Sequence, residues 1–336
     1  MVDSVGQFIQ QLPDLLKALF LLAFPVVNPG NRLYWSYTLF TILVALGVYY
    51  LRESKSMGFD LRKALGYCFP KSLYTQRSAI LDYQCYLING LFKIIVSLTA
   101  FFTLSEITAH FLSQYLRGWF GPVESQLEVT LTLKVIYTIL AVLVLDFSAF
   151  FSHYLLHKIP LLWEFHKVHH SAEGLNPMTG FRDHPVDVAF KQIFRALFLG
   201  VYMGIFSYCI NQEIEAIAIA GLLISTFLLR FVINLRHSHI WISYGWHLNH
   251  IFNSPAMHQI HHSKKAEHID KNFALIFSFW DYLFGTLYVP KVREYFAVGI
   301  EQKDYDNIWQ LYFDPFVQAY RKVTNFLTQI PRLING

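Results

Sequence analysis

The chain has 336 residues, of which 54% are apolar and only 15% charged, with 31 Phe and 20 Tyr. Soluble domains carry roughly 25% charge, so this composition argues against an ordinary soluble fold and suits helices in contact with lipid. A net charge of +4 without a dense basic tract gives no footprint for nucleic acid. Cys68, Cys85 and Cys209 form no CxxC, which leaves neither a zinc knuckle nor a disulfide framework.

The N-terminus MVDSVGQFIQQLPDLLKALF has no basic region ahead of a cleavable small-residue site, so no secretory signal is expected. Residues 14–27 are apolar but short and broken at Pro25, and a first span and a membrane-surface helix stay equally open. Residues 33–51 are free of charge over the length of a spanning helix. The loop from Arg52 to Arg77 holds six Lys or Arg against Glu53 and Asp60, which predicts a cytoplasmic position. A second span is predicted at 83–104. It is followed by an outer loop, 105–128, with Arg117 as its sole Lys or Arg and His110 as an interfacial histidine. Residues 135–151 then return through the membrane. Asp146 on this span is predicted to orient an imidazole, to be a ligand itself, or to make a polar contact between helices.

The stretch Asp146 to His170 carries His153 and His157 four apart, then His166, His169 and His170 as HxxHH. Residues three and four apart share a helix face, so each box is predicted to aim its rings at one point. Pro160 separates the two boxes, and 171–190 reads as a loop over the site, with Arg182 and His184 as its chemically interesting members. An apolar hairpin is predicted from 188–210 and 214–234, turned at NQEIE, with both ends back at the cytoplasmic face. Ser254-Pro255 opens a helix bearing the second HxxHH, His258, His261 and His262. The tail from Lys291 reads as a cap with an amphipathic helix.

Converging neutral imidazoles make sense mainly as metal ligands. One metal takes at most six, so the set His153, His157, His166, His169, His170, His237, His258, His261 and His262, with His184 and His239 as extras, implies two metals. Imidazole suits Fe, Zn, Cu and Ni, and no cysteine stands by to select a thiolate-loving ion. The boxes carry no ExxH of the soluble diiron bundles. A membrane metal carrier without redox chemistry is the alternative. It is disfavoured because the boxes follow the spans instead of lying at mid-membrane. A scaffold that kept the fold without chemistry is disfavoured because no box residue is missing.

HYLLH, HKVHH and HQIHH, in that order and closed by FSFWDYLFGTLYVP, resemble the fatty acid hydroxylase superfamily, which includes the sterol desaturases, over roughly residues 135–290. LNPMTGFRDHP, with His184 before a proline, and RHSHI, where His239 stands in place of a frequent Asn, extend the resemblance. His247, His250 and His268 match no box. The resemblance implies an all-α, polytopic membrane protein of about four to five transmembrane helices with a cytoplasmic histidine-box cap. It divides into an N-terminal membrane region (1–134), the hydroxylase-like domain (135–290) and the tail (291–336). It further implies a non-haem diiron monooxygenase, in which zinc can replace iron on purification. Such enzymes use O₂ and two electrons to hydroxylate or desaturate a membrane lipid: a sterol, a fatty acyl chain or another lipid. No HPGG segment or flavin or NAD fingerprint is fused, so electrons are expected from a separate donor such as cytochrome b5 or a ferredoxin.

Overall fold

The computed structural model describes residues 13, 16–54, 58–96, 98–124, 128–212, 214–219, 222–301 and 305–334. It is mostly helical. The labelled helices are α1 (Trp35–Tyr49), α2 (Leu61–Cys68), α3 (Arg77–Val96), α4 (Leu98–Phe120), α5 (Leu131–Lys158), α6 (Pro160–His170), α7 (Pro185–Ile210), α8 (Ile224–Arg236), α9 (Pro255–His261) and α10 (Ile308–Ile334). Among the described residues two helices, α5 and α7, are long and apolar enough to cross a membrane.

Helix α7 packs against α4 and α5. Gly200 and Gly204, one turn apart, form the seam with α4. A Cβ at Gly200 would lie 2.5 Å from the Thr108 Cβ and 2.7 Å from the Ser105 carbonyl oxygen. At Gly204 it would lie 2.9 Å from the Ala109 carbonyl oxygen. Small residues four apart let two membrane helices approach backbone to backbone. Against α5, Tyr202 donates its hydroxyl to the Tyr137 carbonyl at 2.6 Å.

Three expectations change. The segment read as an outer loop at 105–128 is helical through Phe120, because no Pro or Gly interrupts it before Gly118 and apolar residues recur at helical spacing. The second arm of the predicted hairpin is not one long helix. Residues 214–217 are irregular, Ala218–Ile219 (β1) and Leu222–Leu223 (β2) pair antiparallel, and helix resumes only at Ile224. β-Branched Ile217 and Ile219 favour the extended form, and α8 packs on α1 and α9. The apolar stretch 33–51 is helical as expected, but its end is not α-helical: the 15 residues of α1 run on into a π-helix at Tyr50–Ser54. Its flanks are tied to α8 and the segment after it: Asn234 donates to the Arg32 carbonyl at 2.8 Å and Arg52 to the Trp241 carbonyl at 3.0 Å.

The amphipathic tail helix α10 lies on α6. Lys322 pairs with Glu164 at 2.6 Å and donates to the Pro160 carbonyl at 3.1 Å. Leu311 is buried with Val168, Leu81 and Cys85. Helix α3 clamps the loop before α7: Arg182, 1% exposed, meets Asp82 at 3.0 Å and donates to Ser78. The second oxygen of Asp82 accepts from Thr179 and Asn176. Both sides of the box helix are thus braced from outside the box region.

Candidate metal centre

Nine histidines converge in two groups. His153, His157, His166, His170 and His261 form one; His169, His237, His258 and His262 form the other, and within each group one ligand atom per residue lies within 4.8 Å of the rest. The expectation that each box aims at one point is corrected for both HxxHH boxes. His166 and His170, four apart on α6, go to the five-membered group while His169 between them turns to the other. Reciprocally, His258 and His262 join the four-membered group and His261 crosses to the five. Positions i and i+4 share a face, whereas i+3 is rotated far enough to serve a neighbouring point. The HxxxH pair on α5 keeps both rings on one group. His237 enters from the end of α8.

The outer nitrogens of four rings are held by the chain, and His169 has a carboxylate farther off. Nδ1 of His153 donates to the Phe273 carbonyl at 2.8 Å and Nδ1 of His261 to the Lys271 carbonyl at 2.7 Å. His157 meets Asp270 at 3.3 Å, His166 meets Asp187 at 3.0 Å, and His169 lies 3.8 Å from Asp183. Lys191 ties Asp183 and Asp187 together at 3.0 and 3.1 Å, so one lysine orients carboxylates behind both groups. Such partners fix the tautomer and aim the inner nitrogen.

This arrangement fixes the electronic state of the inner nitrogens. A carbonyl only accepts, so the Nδ1 of both His153 and His261 carries the hydrogen and each neutral ring presents a bare lone pair at Nε2. Those two Nε2 atoms lie 3.0 Å apart. They cannot bond to each other without a proton, and burial and neighbouring histidines hold the His261 pKa well below its ordinary value. His157–His170, His237–His258 and His169–His237 repeat the contact at 3.1, 3.1 and 3.3 Å. With metal–nitrogen bonds of about 2.1 Å, nitrogens at right angles around one ion stand roughly 3.0 Å apart. Nε2 of His166 and both nitrogens of His262 are buried without a protein partner. The donor set therefore fits two imidazole-ligated cations. Burial, with further lowering by their neighbours, likewise depresses the pKa values of His166, His169, His170, His237 and His258, and His262 falls to about 3, all of which keeps the rings neutral.

Three candidates stand elsewhere. His184 is the N-cap of α7: Nδ1 accepts from the Val186 N–H at 3.1 Å and Nε2 donates to the Tyr312 carbonyl at 3.0 Å. Both ring nitrogens are taken up in joining α7 to α10, outside either group. His239 Nε2 donates to the Tyr67 carbonyl at 2.6 Å, turned away from the other rings. Asp146 touches no imidazole. It accepts from the Ile276 and Phe277 N–H groups at 2.9 and 3.0 Å and from the Trp280 indole at 3.1 Å. Asp281 beside that indole accepts from the Phe273 and Ala274 N–H groups and from Thr286. The closing WDxLFGT run thus pins the segment 273–277, whose Phe273 carbonyl orients His153. His110, His247, His250 and His268 also lie apart, His268 paired with Glu294 at 3.1 Å.

Sequence reading missed Asp183, Asp187 and Asp270. None sits in a box, and a carboxylate that orients a ligand leaves no spacing of its own. The DHPVD run that follows the recognised GFR is the one local hint.

Two cavities reach the rings. One, ≈ 380 Å³, is lined by His157, His170 and His261 with Trp163, Lys167 and Lys264. The other, ≈ 270 Å³, has rings of both groups in its wall, between α5, α7 and α8.

Residues 138–286 match the family model described as fatty acid hydroxylase. Alkylglycerol monooxygenase of Xenopus tropicalis is 29% identical over 146 residues, 44% of this chain and 29% of that protein. The human alkylglycerol monooxygenase is 28% identical over 146 residues, again 44% and 29%. An ornithine lipid hydroxylase of Rhizobium tropici is 26% identical over 184 residues, 55% of this chain and 51% of the relative. The chain thus spans under a third of the alkylglycerol monooxygenases and about half of the ornithine lipid hydroxylase. No solved structure matches. Residues 138–286, a little under half of the chain, hold every histidine of both groups and match the fatty acid hydroxylase family.

Proposed function

We propose that the protein is a multi-pass membrane oxygenase that holds two iron ions on these nine histidines and hydroxylates a membrane lipid. The observation that carries this reading is the His153–His261 pair: two bare lone pairs 3.0 Å apart, each fixed by a carbonyl behind it. His153, His157, His166, His170 and His261 would hold one ion, and His169, His237, His258 and His262 the other. Bound iron supplies dioxygen activation, which imidazoles and carboxylates alone cannot perform.

The chain's own contribution is positional. Carbonyls and carboxylates hold His153, His157, His166 and His261 in one tautomer, and burial favours neutral rings. The smaller cavity, walled by the membrane-length helices α5 and α7 and by α8, would receive the lipid. The family match and the names of the three relatives, two alkylglycerol monooxygenases and an ornithine lipid hydroxylase, favour hydroxylation over desaturation.

The basic loop 52–77 favours a cytoplasmic position for the boxes, and α1, α4 and α8 supply the further apolar helices for a count of four to five spans. Electrons would come from a separate donor, a cytochrome b5 or ferredoxin.

The test is metal analysis of the purified protein together with O₂ uptake and product analysis in lipid membranes. Close to two irons per chain and lipid-dependent O₂ consumption are expected. His169→Ala and His261→Ala, one in each group, should each remove iron and abolish turnover while membrane insertion persists. Full lipid oxidation by either variant in iron-depleted membranes would overturn the reading.

A further inference from the structure

The smaller cavity has an uncompensated positive charge. Its wall carries Arg32, Lys191, Arg195 and Arg236, against Asp183 alone among acids. Asp183 and Asp187 are both bound to Lys191, which neutralises that lysine. The three arginines are different. Arg236 donates to the carbonyls of Asn253 and Leu275, and its nearest acid, Asp146, is itself engaged by two backbone N–H groups and the Trp280 indole. Arg195 has no ion-paired carboxylate among the described residues, and Arg32 feels only Asp183, which Lys191 already engages. Nη1 of Arg32 and Nε of Arg195 and Arg236 are buried without a hydrogen-bond partner, as is Nε of Arg230 nearby. Burial and the Arg230 charge lower the Arg32 pKa to about 10.

The placement is also built. A Cβ at residue 180 would sit 1.5 Å from Arg32 Nη1, so Gly180 is what lets that guanidinium lie against the loop. Arg32 further stacks over Phe181 at 4.9 Å. Arg195 lies about two and a half turns into α7, within a membrane-length helix, where a charge without a counterion is costly. No described residue is ion-paired with Arg195; an occupant of the cavity can supply the counterion. Guanidinium groups bind phosphate and carboxylate oxygens through two parallel N–H bonds.

We propose that this cavity is the head-group site of the substrate, and that the substrate is an anionic lipid whose phosphate or carboxylate docks on Arg32, Arg195 and Arg236. The proposal rests on the lipid-oxygenase reading and narrows its substrate class. Rings of both histidine groups share the same wall, so a head bound there puts the adjoining carbons against the metal centre. A cavity of ≈ 270 Å³ with the rings in its wall admits a head group together with the first carbons of the chain. Oxidation therefore falls close to the head, not at the far end of the chain.

The experiment compares three probes with one tail: 1-oleoyl lysophosphatidate, oleate and 1-oleoylglycerol, bound to the full-length protein in detergent and read by displacement of a fluorescent fatty acid. At least one anion should bind tenfold or more tighter than the uncharged glyceride, and which one does assigns phosphate or carboxylate. Arg32→Gln and Arg195→Gln should each weaken the preferred anion about tenfold, with melting temperature and iron content held, and Arg195→Lys should recover most of the loss. Equal affinity for all three probes, or an anion preference untouched by both glutamine variants in folded protein, overturns the proposal. Binding is measured with and without iron, so the two readings fail separately. Arginine-dependent anion binding without any lipid oxidation removes the oxygenase and leaves the head site. Oxidation of the glyceride as readily as of the anions removes the head site and leaves the oxygenase.

Discussion

Asp270 shows how much of the centre depends on residues that touch no metal. Its carboxylate, half-exposed at the mouth of the larger cavity, holds Nδ1 of His157 at 3.3 Å and Lys158 at 2.6 Å. The His157 and Lys158 hydrogen bonds pull its pKa down to about 2, so it is ionised at any working pH. Asp270→Asn keeps the shape but loses the charge that sets the His157 tautomer. Metal affinity of the five-membered group should fall about ten- to a hundredfold, measured by competition with a chelator, while the fold persists. An unchanged affinity would show that His157 is oriented by packing alone. The box histidines themselves could be read from spacing because a ligand must repeat on a helix face. Their orienting partners could not. Asp183, Asp187 and Asp270 come from three different loop or helix-start positions and meet the rings only after the chain has folded.

At the scale of elements, the Gly200–Gly204 seam brings α7 against α4, and α7 in turn carries Asp187 and Lys191 to the histidines. Gly200→Leu forces a side chain into the Ser105 carbonyl, which cannot move aside as a side-chain tip could. A destabilisation of about 1–3 kcal/mol or more is expected, with a lowered melting temperature in detergent and partial loss of bound iron. A fully stable, iron-replete variant would mean that the two helices separate without consequence for the site. Composition and apolar runs made the helical, lipid-facing character legible, as did the Ser254-Pro255 helix start. They misplaced the ends of elements. Apolar residues at 105–120 look the same whether they line a loop or continue a helix, and the strand pair at 218–223 depends on Ile217 and Ile219 lying in a segment too irregular for a continuous helix. His184 looked like a ligand because it precedes a proline near the boxes, but a proline at the first helical position equally marks the residue before it as a cap.

For the whole molecule, the burial of so many neutral imidazoles couples stability to acidity. Seven of them, outside the membrane-length helices, have pKa values pushed below the ordinary 6.5 by burial and by one another. The unfolded chain takes up protons near pH 6.5 that the metal-free folded chain does not. The stability of the metal-free protein is therefore fully present above that pH and declines as pH falls below it. Thermal unfolding of chelator-treated protein at pH 7.5 and 5.5 tests this, with a lower melting temperature expected at 5.5. Equal melting temperatures would mean that the rings already share protons in the folded state. Bound metal should shift the decline to lower pH, since protons must then compete with the ion for the same lone pairs.

The exchange of His169 and His261 between the two HxxHH helices has a further consequence. Neither helix belongs to one centre: α6 gives two rings to the first and one to the second, and α9 does the reverse. The two sites are interlocked as two clasped hands are, each grip made of fingers from both. Rotation or fraying of either short helix loosens both grips at once, and an ion seated in one draws both helices toward the arrangement the other needs. The pair is a single unit of assembly and of failure.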